Sequence, residues 1–241
     1  MPIDFKKIIG DLSRKYDVSL PKIRLVMERA FIVVLQRVFK ADWVEFVWDD
    51  EMPYVVIYRN GRGRELTPDD VTPSLIVQIK RLIPKYMAIE KADMLLKNIK
   101  YLEGTLIMGF IEAVEKDHIK VNHDDIPAYF HYPLINQPLQ ERTLYKPGQT
   151  YLFYVKVKGS GLFEINGKIV AKITLSRTDK RIPELFFKKE TDIDVICLKR
   201  EYDRKKRFGT AYIKTKHRIP FPVIEKYSKE FNESVKILKN L

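Results

Sequence analysis

The 241-residue chain has one cysteine, Cys197, so no internal disulfide can form and a reducing compartment is expected. The N-terminal stretch MPIDFKKIIGDLSRKYD carries a charge every few residues and lacks the apolar core of a signal peptide. The longest apolar windows, such as AFIVVLQRVF, fall far short of a bilayer span. These absences lead to an expectation of a cytoplasmic protein without membrane association. Histidine is scarce, at four residues, and no two stand at the helical i, i+4 spacing of a metal pair. His118, His123 and His131 with Asp124 and Asp125 are therefore a weak metal constellation. There is no Gly-x-Ser-x-Gly nucleophile motif. RNGRGRE (59–65) lacks the spacing and the Lys-Ser/Thr ending of a phosphate loop, and a hairpin turn is the better reading. The acidic pairs Asp49-Asp50, Asp69-Asp70 and Asp124-Asp125 fall in expected turns, where Asp is favoured anyway. No cofactor or metal is expected.

What the chain has in excess is positive charge. It carries 44 Lys+Arg against 32 Asp+Glu, a net +12. Residues 1–100 hold 18 basic and 14 acidic residues, 101–150 hold 4 and 7, and 151–241 hold 22 and 11. The excess is concentrated in the last 91 residues. Such a surface attracts polyanions by releasing their counterions, and nucleic acid is the commonest of these in the cytoplasm.

Periodicity divides the chain into three parts. Residues 4–16 read as an amphipathic helix with Phe5, Ile8, Ile9 and Leu12 on one face. A longer helix follows, with Ser19 as N-cap, Pro21 in the first turn and an apolar face of Leu25, Val26, Ala30, Val33, Val34 and Val38. WVEFVWDD (43–50) and YVVIYRN (54–60) read as paired strands, and NGRGRELTPDD as a loop turning at Asn60-Gly61. Trp43 and Trp48, an odd number apart on one strand, should point to opposite faces, leaving one free for a protein contact. Residues 72–97 form a third helical pattern that Pro84 should kink or split. From Tyr101 the texture changes to short strands with turn signals at Gly159-Gly161 and Asn166-Gly167. About five strands in some 75 residues suggest a small antiparallel barrel of the OB type. The tail reads α-β-β-α-β.

In that frame several groups are candidates for RNA contact. AYFHY (128–132) could present stacking rings, either Tyr129 and His131 or Phe130 and Tyr132, according to which set faces outward. His118 and Lys120 on the preceding strand should neighbour them. Lys156 and Lys158 could track a phosphate backbone from one face of a later strand, with Arg177 at the end of the barrel. Arg204, Lys205, Lys206 and Arg207 make a dense basic turn.

Several stretches, in order, resemble the front part of the NusA family of transcription factors. RKYDVSLPKIRLVMERAFIVVLQRVFKADWVEFVWDDEMPYVVIYR is similar to that family's polymerase-binding head. YLEGTLIMGFIEAVEKDHIKVN and YKPGQTYLFYVKVKGSG look like strands of its S1-type OB domain. AKITLSRTDKRIPELFFKKETDI resembles the junction from that domain into the first KH domain, and VICLKREYDRKKRFGTAYIKT the first two KH strands. The resemblance covers about residues 1–216. It departs after Thr215, where no glycine follows, so the Gly-x-x-Gly clamp of a KH domain is missing and a second KH domain is absent.

The resemblance implies an α+β, multi-domain protein. Residues 1–99 would be a head of long helices and a small antiparallel hairpin, 100–178 a five-stranded S1-type OB barrel, and 179–241 a truncated KH-like module. It further implies a non-catalytic, monomeric factor that binds core RNA polymerase and single-stranded nascent RNA in elongation, termination or antitermination. The alternative is a stand-alone S1-domain RNA-binding protein of translation or RNA processing. A third class is an RNA-cleaving or RNA-modifying enzyme.

Overall fold

A computed structural model describes residues 5–49, 52–139, 141–156, 158–203 and 208–238. The protein is mixed α+β with three separate sheets. It divides into two compact units, one of residues up to Met94 with Glu164–Ile169, the other of Leu95–Phe163 with Val170 onward. The 100–178 and 179–241 stretches therefore fall mainly within one unit.

The first unit begins with α1 (Phe5–Tyr16) and α2 (Leu20–Phe39). Ser19 stands at the N-cap of α2 in extended backbone, but its hydroxyl caps nothing. Proline in the first turn costs no hydrogen bond there. Lys40 closes the helix in the left-handed region, donating its N–H to the Gln36 carbonyl. The buried stripe of α2 is Ile23, Val26, Met27, Ala30, Phe31, Val34 and Leu35. The expected face was turned from this one: Leu25 and Val38 are exposed. In a helix rich in valine and leucine all round, several i, i+4 stripes compete, and only the packing partner selects one.

Strand β1 (Trp43–Asp49) pairs antiparallel with β2 (Met52–Arg59). Asn60 and Gly61, both at positive φ, turn the chain into β3 (Arg62–Glu65), so part of the expected loop is a third strand. Helix α3 (Pro73–Asn98) runs unbroken through Pro84. The core gathers the α2 stripe, Val44, Phe46, Val55 and Ile57 of the sheet, and Leu75, Ile79, Ile83 and Met87 of α3. Trp48 leans on this core while Trp43 is 62% exposed, as the odd spacing requires.

The largest sheet holds β4 (Leu106–Val114), β5 (His118–Asn122), β6 (Tyr129–Pro133), β7 (Thr150–Val155), β8 (Gly161–Ile165) and β9 (Lys168–Ser176). Its order is β6-β5-β4-β7-β9-β8, and β6 also pairs with β9. Five strands thus close a hydrogen-bonded circuit, with β8 attached outside it. The β6–β9 pairing is parallel, so the sheet is not wholly antiparallel. The inner phase of each strand fills the interior: Ile107 and Ile111, Ile119 and Val121, Phe130 and Tyr132, Phe153 and Val155, Ile173 and Leu175. Gly109 belongs to this phase because a Cβ there would lie 2.4 Å from Val121 Cγ1.

The tail runs α4 (Arg181–Thr191), β10 (Ile196–Asp203), β11 (Phe208–Lys214), α5 (Phe221–Phe231) and β12 (Glu233–Leu238), the α-β-β-α-β order expected. Strand β11 is central, antiparallel to β10 and parallel to β12. Asn232 takes the left-handed cap that turns α5 directly into β12. Helices α4 and α5 cover one face of the sheet with Ile182, Phe186, Phe187, Tyr227 and Phe231, and Leu152 and Tyr154 of β7 join the same cluster. Cys197 is enclosed there, its thiol pushed up to about 11 by burial. Among the described residues no helix is long and apolar enough to cross a membrane.

Candidate nucleic-acid interface

Strand alternation decides which aromatics of AYFHY face outward. Phe130 and Tyr132 are fully buried in the core cluster of the largest sheet. Tyr132 makes a buried hydroxyl pair with Tyr145 at 2.8 Å, and burial pushes its pKa upward. Neither ring can stack on a base, which removes both from the candidate set. Tyr129 and His131 take the outer phase.

Register then assembles the face. Lys120 on β5 stands opposite His131 on β6, and His131 opposite Thr174 on β9. Tyr129 stands opposite Lys172. The His118 ring lies 4.7 Å from that of His131 and 5.9 Å from that of Tyr129 (centroid to centroid), and Tyr129 and His131 are nearly parallel, at 25°. Lys172 reaches out over Phe163 of β8, its Nζ 4.4 Å from the ring centre. Lys120 is paired with Glu112 of β4. The result is a strip of three adjoining rings flanked by two lysines.

The strip is ordered from beneath by a relay. Asp117 Oδ1 lies 2.7 Å from His118 Nδ1. A carboxylate only accepts, so Nδ1 carries a proton, and Nε2 shares a hydrogen bond with the Tyr129 hydroxyl. The bond to His118 holds the Asp117 carboxyl below its ordinary range. Burial and the carboxylates of Glu115, Asp117 and Glu112 raise the Tyr129 pKa, so the phenol keeps its proton. This orients a ring and does not generate a phenolate nucleophile. His131 is lowered to about 4 by burial, by His118 and by Lys172. At neutral pH it offers a ring face and no charge. Its Nδ1 is enclosed with its hydrogen-bonding capacity unused.

The remaining expected residues divide. Lys156 and Lys158 lie past the end of β7, in the turn toward β8, and not on a strand face. Lys158 is exposed and Lys156 half-buried, with the Lys156 amide bonded to the Thr174 carbonyl. Arg204, Lys205, Lys206 and Arg207 lie outside the described residues. Arg177 is the clearest correction, because it is fully buried. Its guanidinium donates to Glu141 at 2.8 Å, to Glu230 at 2.8 Å and to the Leu152 carbonyl at 2.8 Å. Burial opposes its charge, but Glu141, Tyr145 and Tyr132 carry its pKa above the ordinary value. It joins β7, the Glu141 loop and α5, and no RNA can reach it. A second buried pair, Arg200 with Glu233, accepts a further bond from the Tyr227 hydroxyl within the tail.

Two exposed side chains were missed. Met108 and Phe110 sit on the outer phase of β4, about half exposed, between Ile107, Gly109 and Ile111 of the inner phase. The alternation of LIMGFIEAV carries that signal, since two large apolar residues occupy positions where polar ones belong. Among the described residues no cluster of His, Cys, Asp or Glu could hold a metal ion. No protein-family model matches the chain, and no curated protein matches it.

Proposed function

We propose that this protein is a NusA-like, non-catalytic factor that binds single-stranded RNA on its barrel and RNA polymerase through its head. The observation that carries the RNA contact is the outer strip of Tyr129, His131 and His118 between Lys120 and Lys172. Rings on a strand face accept any base by stacking, and flanking ammonium groups meet the phosphates. The circuit β4-β5-β6-β9-β7, with its one parallel pairing, supports reading the barrel as an OB fold. The strip then lies on the second and third barrel strands, the face OB folds use for oligonucleotides. The polymerase contact rests on the residue pattern of the head, and the open hairpin face of Trp43, Val47 and Tyr54 suits a protein partner. Two weak contacts on one chain reinforce each other through effective concentration, which is how the factor would act on elongation, pausing or termination.

The test has two arms. Fluorescence anisotropy with a single-stranded RNA should show salt-dependent binding that Tyr129→Ala and His131→Ala each weaken roughly five-fold or more. Passage over immobilised core polymerase should retain the full chain and not a variant lacking residues 1–95. RNA binding without retention would leave the stand-alone RNA-binding reading. Unchanged affinity in both ring variants would remove the barrel from the RNA path.

A further inference from the structure

The tail sheet has one face covered by α4 and α5 and one face open. Register sets what the open face displays. Lys199 of β10 stands opposite Tyr212 of β11, and Tyr212 opposite Lys236 of β12. Both ammonium groups close on the ring: Lys199 Nζ lies 4.6 Å and Lys236 Nζ 5.4 Å from its centre. One step along, Lys214 stands opposite Leu238, and one step back Thr210 and Ser234 share a hydroxyl contact at 3.1 Å. Lys199, Lys214 and Lys236 are exposed. Two acids, Asp203 and Glu201, share this phase of β10, and Glu201 is the one that reaches Lys199 and Tyr212. It accepts from Lys199 at 2.7 Å, and its carboxyl is held low by Lys199, then by the Tyr212 hydroxyl.

From this geometry we infer a second single-stranded RNA contact, on the open face of the tail sheet, in which Tyr212 stacks a base and Lys199 and Lys236 hold the flanking phosphates. The charge argues for the occupant. Two lysines close on one aromatic ring, and a third, Lys214, lies two residues along β11, in the part of the chain with 22 basic residues to 11 acidic ones. A polyanion with flat, stackable groups satisfies both features at once, because the lysines bring phosphates to the ring and the ring accepts a base of any identity. This surface is separate from the Tyr129–His131 strip and stands or falls independently of it. It also needs no Gly-x-x-Gly loop, since the contacts come from strand side chains.

Ultraviolet cross-linking of a 4-thiouridine-containing RNA to the full chain, read by mass spectrometry, should mark the peptide that holds Tyr212. In anisotropy titrations Tyr212→Ala should weaken binding about five-fold or more, while Tyr212→Phe, which keeps the ring and the fold, should bind as the parent does. Lys199→Ala with Lys236→Ala should flatten the slope of log affinity against log salt by about 1.4, the loss of two single-strand phosphate contacts. Glu201→Gln, which removes the opposing charge, should tighten binding. If Lys199→Ala/Lys236→Ala leaves affinity and slope unchanged while His131→Ala weakens binding, the tail contact is wrong and the barrel reading survives. The reverse pattern would sink the barrel reading and keep this one. Competition by poly-glutamate as effective as by RNA would also overturn it, by showing that the face takes acidic polypeptide.

Discussion

Arg177 shows how a residue's type can be read correctly and its role missed. A basic side chain at the end of a barrel strand suggests a phosphate contact. Here the same guanidinium is enclosed by Glu141, Glu230 and a carbonyl, because those two carboxylates, 36 and 53 residues away in sequence, converge on it. Nothing local in LSR announces partners so distant. Removing the cation would leave the buried Glu141 carboxylate without compensation, so Arg177→Ala should cost about 3–5 kcal/mol of stability in a urea titration. Arg177 should leave no imprint on the salt dependence of RNA binding in any variant that still folds. His131 makes a prediction of the opposite kind. Its folded pKa of about 4 lies below the 6.5 of an unfolded histidine, so the unfolded chain binds the extra proton first. Its contribution is fully present above pH 6.5 and is lost as pH falls toward 4. An NMR titration should find this ring titrating near 4, and a midpoint near 6.5 would mean the strip is more open than described.

At the scale of the element, type was legible and phase was not. AYFHY alternates whichever way it is laid down, since four of its five residues carry rings, and only packing in the sheet's core chooses Phe130 and Tyr132. The tail's α-β-β-α-β order could be read because its helices and strands are short, strongly patterned and separated by turn residues. Helix α2 could be placed but not rotated, for want of a polar face sharp enough to orient it. Proline 84 was expected to kink or split α3; it does not split it, since the helix continues through it, with Pro84 on the exposed side. One internal hydrogen bond is missing there while Ile83 and Met87 stay anchored on the core. Pro84→Ala should therefore raise stability, by about 1–3 kcal/mol, measurable as a higher thermal midpoint.

At the scale of the molecule, a shared compact unit ties the two proposed RNA surfaces together, although only the tail surface lies wholly within the basic last 91 residues. Both lie in the second compact unit. A fragment of residues 95–241 is expected to fold, to show a dispersed NMR spectrum and to keep the RNA affinity of the full chain, while losing retention on polymerase. Loss of RNA affinity in a folded fragment would mean the first unit contributes to the RNA path. The lone thiol offers a practical route to all of these measurements. Cys197 is enclosed by α4 and the tail sheet and keeps its proton at neutral pH, so maleimide reagents should pass it by. A cysteine introduced at the exposed Lys158 would then be the one group to take a dye or spin label. The chain is its own cysteine-light background, and distances to labelled RNA can be measured without first engineering the native thiol away.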